Sequence, residues 1–314
     1  MILVTGGGGF IGSSTVDRLI GKGCDVRVLD NFTTGRMSNL DYAGKLSKDA
    51  SCNFEIIRGD IRDPEIVKKS LEDVDIIFHT AAQIDVRKSV DDPVYDMDVN
   101  IKGSVNLIRE AIATGAKKII YSSSGGAIYG DAQVIPSDEN TPVRPICPYG
   151  VSKYCVENYL YNFYKNYGLD YTVLRYGNVY GIRQDPLGEA GVISIFLSRV
   201  LSGKNPVIFG TGNQTRDYVS VSDVVSANIL AMEKKPKHRE FNVGCGIETS
   251  VNQLVEIISD ISYKKIMAEY TGERKGEVYR SCLDISRIKK EMGFEPSCSI
   301  REGIAEVMEW MKGR

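Results

Sequence analysis

Two pairs of residues in this chain set a phenol and an ammonium one helical turn apart: Tyr149 with Lys153, and Tyr161 with Lys165. A free phenol is mostly protonated at neutral pH, and a neighbouring ammonium favours its phenolate. Such a pair can therefore serve as a general base toward a hydroxyl. Tyr149 and Tyr161 are twelve residues apart, so on one continuous helix the two pairs differ in direction by about 120°. At most one can face a shared site, and spacing alone does not choose between them.

A second constellation lies at the N-terminus. Ile2-Leu3-Val4 is a short buried-strand signal that runs into Thr5-Gly6-Gly7-Gly8-Gly9-Phe10-Ile11-Gly12. Phe10, Ile11, Val16, Leu19 and Ile20 then follow helical spacing until Gly21-Lys22-Gly23, and Asp25–Asp30 is the next strand. In a strand, glycine turn, helix and strand unit, Gly6 permits the tight turn. Gly9 admits a pyrophosphate to the backbone amides, and Gly12 lets the helix pack on the sheet. The helix N-terminus favours the phosphates. Asp30 closes the second strand, where an acid bonds the adenine-ribose hydroxyls and repels a 2′-phosphate, which points to NAD over NADP.

The elements that must position these groups continue the alternation. Strands are expected at Phe54–Arg58, Asp75–His79, Lys118–Tyr121 and Tyr171–Tyr176, and helices at Glu65–Leu71, Val94–Thr114 and from Tyr149 to Tyr167. Short apolar strands alternating with helices predict an α/β fold, a Rossmann-type doubly wound parallel sheet covered on both faces. Ligands in such sheets sit beyond the C-terminal strand ends. Asp30, Asp60, Ala81-Ala82-Gln83 and Ser122-Ser123-Ser124 all fall there. After residue 174 the rhythm changes to longer loops around helices near Val192–Leu201, Val221–Glu233, Val251–Ile261 and Ile300–Met311. Phe241-Asn242-Val243 is a candidate strand returning to the main sheet. The expected division is a dinucleotide-binding domain at 1–174 and a smaller C-terminal α/β substrate lobe at 175–314.

Bulk properties narrow the classes. The 314 residues carry a net charge of −2, with no basic excess to suggest nucleic acid. No apolar run approaches the roughly 18 residues of a membrane helix, and Met1-Ile2-Leu3-Val4 leaves no room for a targeting segment. Seven cysteines without a CxxC and only two histidines argue against a metal site and for a reduced, cytoplasmic protein.

Thr5-Gly6-x-x-Gly9-Phe10-Ile11-Gly12, Asp60-Ile61, Ala81-Ala82-Gln83, Tyr149-x-x-x-Lys153 and Leu174-Arg175-Tyr176-x-Asn178-Val179-Tyr180-Gly181 occur in that order. Arg216-Asp217-Tyr218-Val219 and Arg274-x-Gly276-Glu277 follow. Over essentially its whole length the chain resembles the nucleotide-sugar branch of the extended short-chain dehydrogenases/reductases, and within it the UDP-glucose 4-epimerases. The resemblance implies tightly held NAD and a UDP-hexose substrate. Tyr149 matches the base that takes the sugar 4-hydroxyl proton while hydride passes to NAD, and Lys153 the group that favours the phenolate and holds the nicotinamide ribose. Ser124 matches the hydroxyl that bridges Tyr149 and the sugar oxygen. The stretch before Tyr129-Gly130 is one residue longer than in many relatives, so Ser123 is the alternative. The implied cofactor contacts are Gly6, Gly9, Phe10, Ile11, Gly12, Asp30, Asn31, Gly35, Asp60, Ile61, Ala81, Ala82, Gln83, Asn100, Tyr149 and Lys153.

On the substrate side the resemblance assigns Asn178, Arg216 and Arg274 to the nucleotide diphosphate, with Ser124 and Ser281 at the sugar. Val192, Ile208 and Phe209 are either uridine-lining or core residues. Ser281 stands where some relatives carry a pocket-closing tyrosine, so room for a 2-N-acetyl group is expected. Related 4,6-dehydratases place an Asp-Glu pair after the catalytic hydroxyl, and Gly125-Gly126 cannot do that acid/base work. UDP-glucuronate epimerases and decarboxylases stay open as alternatives. Non-catalytic NAD-sensing relatives commonly lose the Tyr or Lys that this chain keeps. A homodimer through the helices near Val94–Thr114 and Tyr149–Tyr167 is also implied.

Overall fold

The computed structural model describes residues 1–186, 191–273 and 278–313. The first part of the chain runs β1 (Ile2–Thr5), α1 (Phe10–Gly21), β2 (Val26–Asp30), α2 (Asp41–Asp49), β3 (Phe54–Arg58), α3 (Pro64–Ser70) and β4 (Ile76–His79). It continues α4 (Val86–Asp91), α5 (Pro93–Met97), α6 (Gly103–Thr114), β5 (Lys118–Ser124), α7 (Gly125–Ile128), α8 (Pro148–Tyr167) and β6 (Asp170–Tyr176). Then come β7 (Asn178–Tyr180), α9 (Val192–Leu201), β8 (Val207–Phe209), β9 (Thr215–Ser220), α10 (Val221–Glu233) and β10 (Glu240–Val243). The chain closes with β11 (Glu248–Ser250), α11 (Val251–Ser262), β12 (Glu269–Thr271), α12 (Ser286–Met292) and α13 (Ile300–Lys312).

Seven strands pair in the order β10-β6-β5-β4-β1-β2-β3, and every pairing is parallel. The order reverses between β1 and β4, the crevice where a doubly wound sheet takes its ligand. β1 and β2 are buried at every position, as strands covered on both faces must be. Leu107, Ile108 and Ala111 of α6 and Val156 and Leu160 of α8 close one face. Val16 and Leu19 of α1 and Val224 and Ala227 of α10 close the other. Gly115 and Gly168 end α6 and α8 in the left-handed conformation.

The expected helix over Val94–Thr114 is interrupted. α5 begins at Pro93, and Asp98–Lys102 forms a wider π turn before α6. Such a turn shifts the helix face by part of a residue, and here it buries Asn100. β10 pairs in register with β6, Phe241 opposite Leu174, so residues 240–243 belong to the main sheet. Two small sheets, β11-β9-β7 and β12-β8, form from segments after β6, beside a hydrophobic cluster of their own. That cluster joins Ile193, Leu197, Ile208, Leu254, Ile258, Ile304 and Val307.

Candidate active site

The glycine turn after β1 is shaped by close backbone approaches and tied by Asp30 and Asn39, which bond Gly8 N and Gly8 O. Gly6 has φ +70°, and a side chain there would sit 2.7 Å from the Ala81 nitrogen. At Gly12 an added Cβ would lie 2.1 Å from the Gly6 carbonyl oxygen, so α1 can approach the turn only with glycine. At Gly9 it would meet nothing within 4 Å except that same oxygen, at 3.1 Å. α1 has no side-chain N-cap and no acid in its first turn, so its first amides are left for an outside acceptor. Phe10 and Ile11 are the first residues of that turn. An open, uncapped helix start fits a pyrophosphate.

Asp30 is buried, and its carboxylate accepts from Gly8 N at 2.8 Å and Phe32 N at 2.7 Å. Burial pushes its pKa up, against these two amides. Gly35 packs on it, since a Cβ there would touch both carboxylate oxygens at 3.0 and 3.1 Å. The donors leave each oxygen a further lone pair, which fits a ribose diol. Asp60 differs. Arg62 supplies three hydrogen bonds to it and the exposed Asn31 amide a fourth. These bonds, Arg62 foremost, lower its pKa to about 2. All four acceptor positions are used, so a ligand bonding this carboxylate must displace Asn31. Ile61 is a core residue against Gly103.

Ala81 and Ala82 are half-buried beyond β4, Ala81 against Gly6. Gln83 and Asn100 are engaged with each other: Gln83 N donates to Asn100 Oδ1, and Asn100 Nδ2 to Gln83 O, both at 2.8 Å. The second Nδ2 proton of Asn100 and one Nε2 proton of Gln83 go to Asp96, and the other Nε2 proton to Asp85 O. The side-chain amide protons of both residues are therefore consumed inside the protein.

The two Tyr-x-x-x-Lys pairs separate clearly. Both lie on α8, but Tyr161 is exposed with Lys165 over its ring at 5.5 Å. Lys153 is 3% exposed, its Nζ donates to Ser122 O at 2.8 Å, and it stands 5.8 Å from the Tyr149 ring centroid. Burial lowers the Lys153 pKa to about 8, opposed by Asp96 and Glu157. Pro148 at the first position of α8 has no amide to lose, and Tyr149 N donates to Ser89 Oγ at 3.2 Å. Gly150 lets α8 close on α7, where a Cβ would lie 2.7 Å from Ala127 O.

Ser123 and Ser124 also part. Ser123 is buried and donates to Glu157 Oε1 at 2.6 Å. Glu157 is clamped by Arg175 at 2.6 Å, both almost fully buried, and Arg175 Nη1 donates to Tyr129 at 2.9 Å. Ser124 is half-buried at the strand end, and its side chain does not cap α7.

In the second lobe, β7 runs beside β9 with Asn178 opposite Tyr218. Asn178 Oδ1 is buried without a partner among the described residues, 3.4 Å from where a Gly126 Cβ would stand. Arg216 Nη1 donates to the carbonyls of Thr215 and Tyr279 at 2.8 and 3.4 Å. Among the described residues no carboxylate pairs with it. Asp217 next to it is buried and accepts from Cys245, Gly246 and Leu283 amides, which pins β9 to the end of β10. Ser281 N donates to Thr215 O at 3.2 Å, so it flanks Arg216. A cavity of about 460 Å³ lined by residues 131–135, Tyr279 and Arg280 adjoins it, while another, about 420 Å³, lies behind α1. Ile208 is core and Val192 packs on it, whereas Phe209 is half-buried. Arg274, with Gly276 and Glu277, lies outside the described residues. The buried partners Asp96, Ser152, Glu157 and Arg175 were not singled out by sequence reasoning as site residues. Only the Asp96–Asn100 spacing of four, one helical turn, hinted at any of them.

Residues 2–244 match the NAD dependent epimerase/dehydratase family. A UDP-glucose 4-epimerase of Mycolicibacterium smegmatis is 42% identical over 314 residues, covering 99% of this chain and 98% of that protein. A UDP-glucose 4-epimerase of Thermotoga maritima, solved with UDP-glucose, superposes with a TM-score of 0.93 at 45% identity, over 99% of this chain and 98% of that one. A UDP-N-acetylglucosamine 4-epimerase of Methanobrevibacter ruminantium, solved with UDP-N-acetylmuramic acid, gives 0.92 at 37%, with the same coverage. No helix among the described residues is long and apolar enough to cross a membrane.

Proposed function

The chain belongs to the NAD-dependent epimerase/dehydratase family, and on that premise we propose that it interconverts the C4 epimers of a UDP-hexose, UDP-glucose and UDP-galactose. The observation that carries this reading is the placement of Lys153 under Tyr149 and on the Ser122 carbonyl, with Ser124 and then Gly125-Gly126 following on the same strand end. That arrangement supplies a base for a sugar hydroxyl and no acid/base pair for elimination. The residues around the glycine turn and Asp30 hold NAD, which supplies the hydride acceptor and donor.

Tyr149 takes the proton from the 4-hydroxyl, and Ser124 bridges the phenol and the sugar oxygen. Lys153, as an ammonium, favours the phenolate. The 4-keto sugar turns over in the pocket and is reduced on its other face, with Tyr149 returning the proton. No net oxidation results. Arg216 and Asn178 hold the nucleotide through the turn; Arg216 suits the diphosphate because its charge is not neutralised by a described carboxylate. Arg274 is assigned as its partner. Gln83, Asn100 and Asp60 order the cofactor walls.

We assign the enzyme to the cytoplasm, supported by its seven free cysteines. The exposed apolar residues Val90, Val94 and Met97, with Val151, Tyr159 and Tyr161 of α8, support a homodimer through this face. The test of function is conversion of UDP-galactose to UDP-glucose without net NADH. A Tyr149→Phe variant that kept full turnover would sink the mechanism.

A further inference from the structure

Asp96 of α5 has no accessible surface, and the hydrogen bonds its carboxylate accepts come from neutral groups. One oxygen accepts from Gln83 Nε2 at 2.9 Å and Asn100 Nδ2 at 3.0 Å, the other from Ser152 Oγ at 2.5 Å. Among the described residues it has no salt-bridge partner. A buried carboxylate is costly unless cations or hydrogen-bond donors compensate it, and here three neutral donors do so while leaving its charge in place. Ser152 immediately precedes Lys153.

Groups face Lys153 from each packed element. From β4 comes His79, held neutral by burial. From β5 comes Tyr121, its ring centroid 5.0 Å from Nζ. α8 itself presents Tyr149 and, one turn beyond Lys153, Glu157, and Asp96 of α5 bonds the residue next to Lys153, Ser152, at 2.5 Å. Glu157 is already neutralised by Arg175. Asp96 is thus the carboxylate of this group that no arginine or lysine pairs among the described residues.

We infer that Asp96 is a positioning residue of the active site: it ties the cofactor wall at Gln83 and Asn100 to α8 at Ser152, and its buried charge holds Lys153 as an ammonium beside Tyr149. The inference rests on the epimerase reading for the roles of Tyr149 and Lys153, and it is independent of which sugar is bound. Burial drives Lys153 toward the neutral amine, and Asp96 is the foremost group opposing it.

Asp96→Asn isolates the charge. Its Oδ1 can still accept from Gln83 and Asn100, and its Nδ2 can donate to Ser152, whose hydroxyl turns to accept. Ser152→Ala is the converse, keeping the charge and cutting the tie. Lysine Nζ titration by 15N NMR on the NAD-loaded enzyme, with the Lys153 signal assigned by its loss in Lys153→Met, reads the ammonium directly. For Asp96→Asn the midpoint should fall by about one pH unit. The alkaline limb of kcat should follow, leaving about fivefold less activity where wild type is half titrated. Ser152→Ala should keep the wild-type midpoint and weaken NAD binding about three- to tenfold by calorimetry. An unshifted midpoint in Asp96→Asn, or an equal shift in Ser152→Ala, overturns the inference. Should Asp96→Asn not fold, carboxyl 13C NMR of wild type must show Asp96 ionised across the active pH range, and a protonated Asp96 overturns it. The titrations need no turnover, so failure of the epimerase reading in the UDP-galactose assay is distinguishable from failure here.

Discussion

Replacing Ser123 and Ser124 by alanine, one at a time, should separate stability from catalysis at neighbouring positions. Ser123 makes a buried, charge-assisted bond of 2.6 Å to Glu157. Bonds of that kind contribute about 1.5–3 kcal/mol. Arg175 still grips both Glu157 oxygens after the change, so the cost should lie near the lower end, about 1.5 kcal/mol. In a chain of this size that lowers Tm by roughly 2–3 °C. The kcat of Ser123→Ala should stay within about threefold of wild type. Ser124 makes no helix-capping bond, and its loss should change stability by no more than about 0.5 kcal/mol. If its hydroxyl bridges Tyr149 and the sugar oxygen, its removal forfeits ~2–3 kcal/mol in the transition state, roughly 30- to 150-fold in kcat. Thermal unfolding and steady-state conversion of UDP-galactose, on both variants, give a two-by-two result. The reverse pattern, with Ser123→Ala slow and Ser124→Ala merely less stable, would refute the assignment.

Three further outcomes can be checked. Gly12→Ala puts a Cβ onto the Gly6 carbonyl; retained NAD and a Tm unchanged from wild type would contradict the close helix approach. Ser281→Tyr should cut kcat/KM for UDP-N-acetylglucosamine about 10- to 100-fold through overpacking, with UDP-glucose little affected, and equal failure of wild type on the acetylated sugar would refute the idea. His79 bonds Thr5 and Ser104 at 2.8 Å each, and burial lowers its pKa to about 3. The unfolded chain therefore binds the extra proton between about pH 6.5 and 3, so stability is full above 6.5 and declines as pH falls. Up to roughly 4–5 kcal/mol is at stake; urea unfolding of His79→Gln should show a shallower pH slope between 6.5 and 4, and an identical slope would count against it.

The sequence by itself determined the alternation of buried strands and helices, the glycine turn, Asp30 at the end of β2, and the clustering of polar residues at strand ends. These are local signals: an apolar run, a helical period or a glycine offset is written within a dozen residues. The same local logic placed α8–α11 and α13 within a residue or two. It missed the π turn at Asp98–Lys102 and the short strands of the second lobe, whose three-residue segments carry too little periodicity to register.

The tertiary structure alone decided the rest. Tyr149 and Lys153 are indistinguishable from Tyr161 and Lys165 by spacing, and burial separates them: one lysine rests on the Ser122 carbonyl inside the fold, and the other pair faces outward. Ser123 is bound to Glu157 thirty-four residues away, while Ser124 stands half-buried at the strand end. Asp96 reaches Ser152 across fifty-six residues, and Asp60, Gln83 and Asn100 spend their polar groups on partners inside the protein. Hydrogen bonds and ion pairs between distant segments leave no periodic trace in the chain, because their partners are neighbours only after the sheet has ordered its strands.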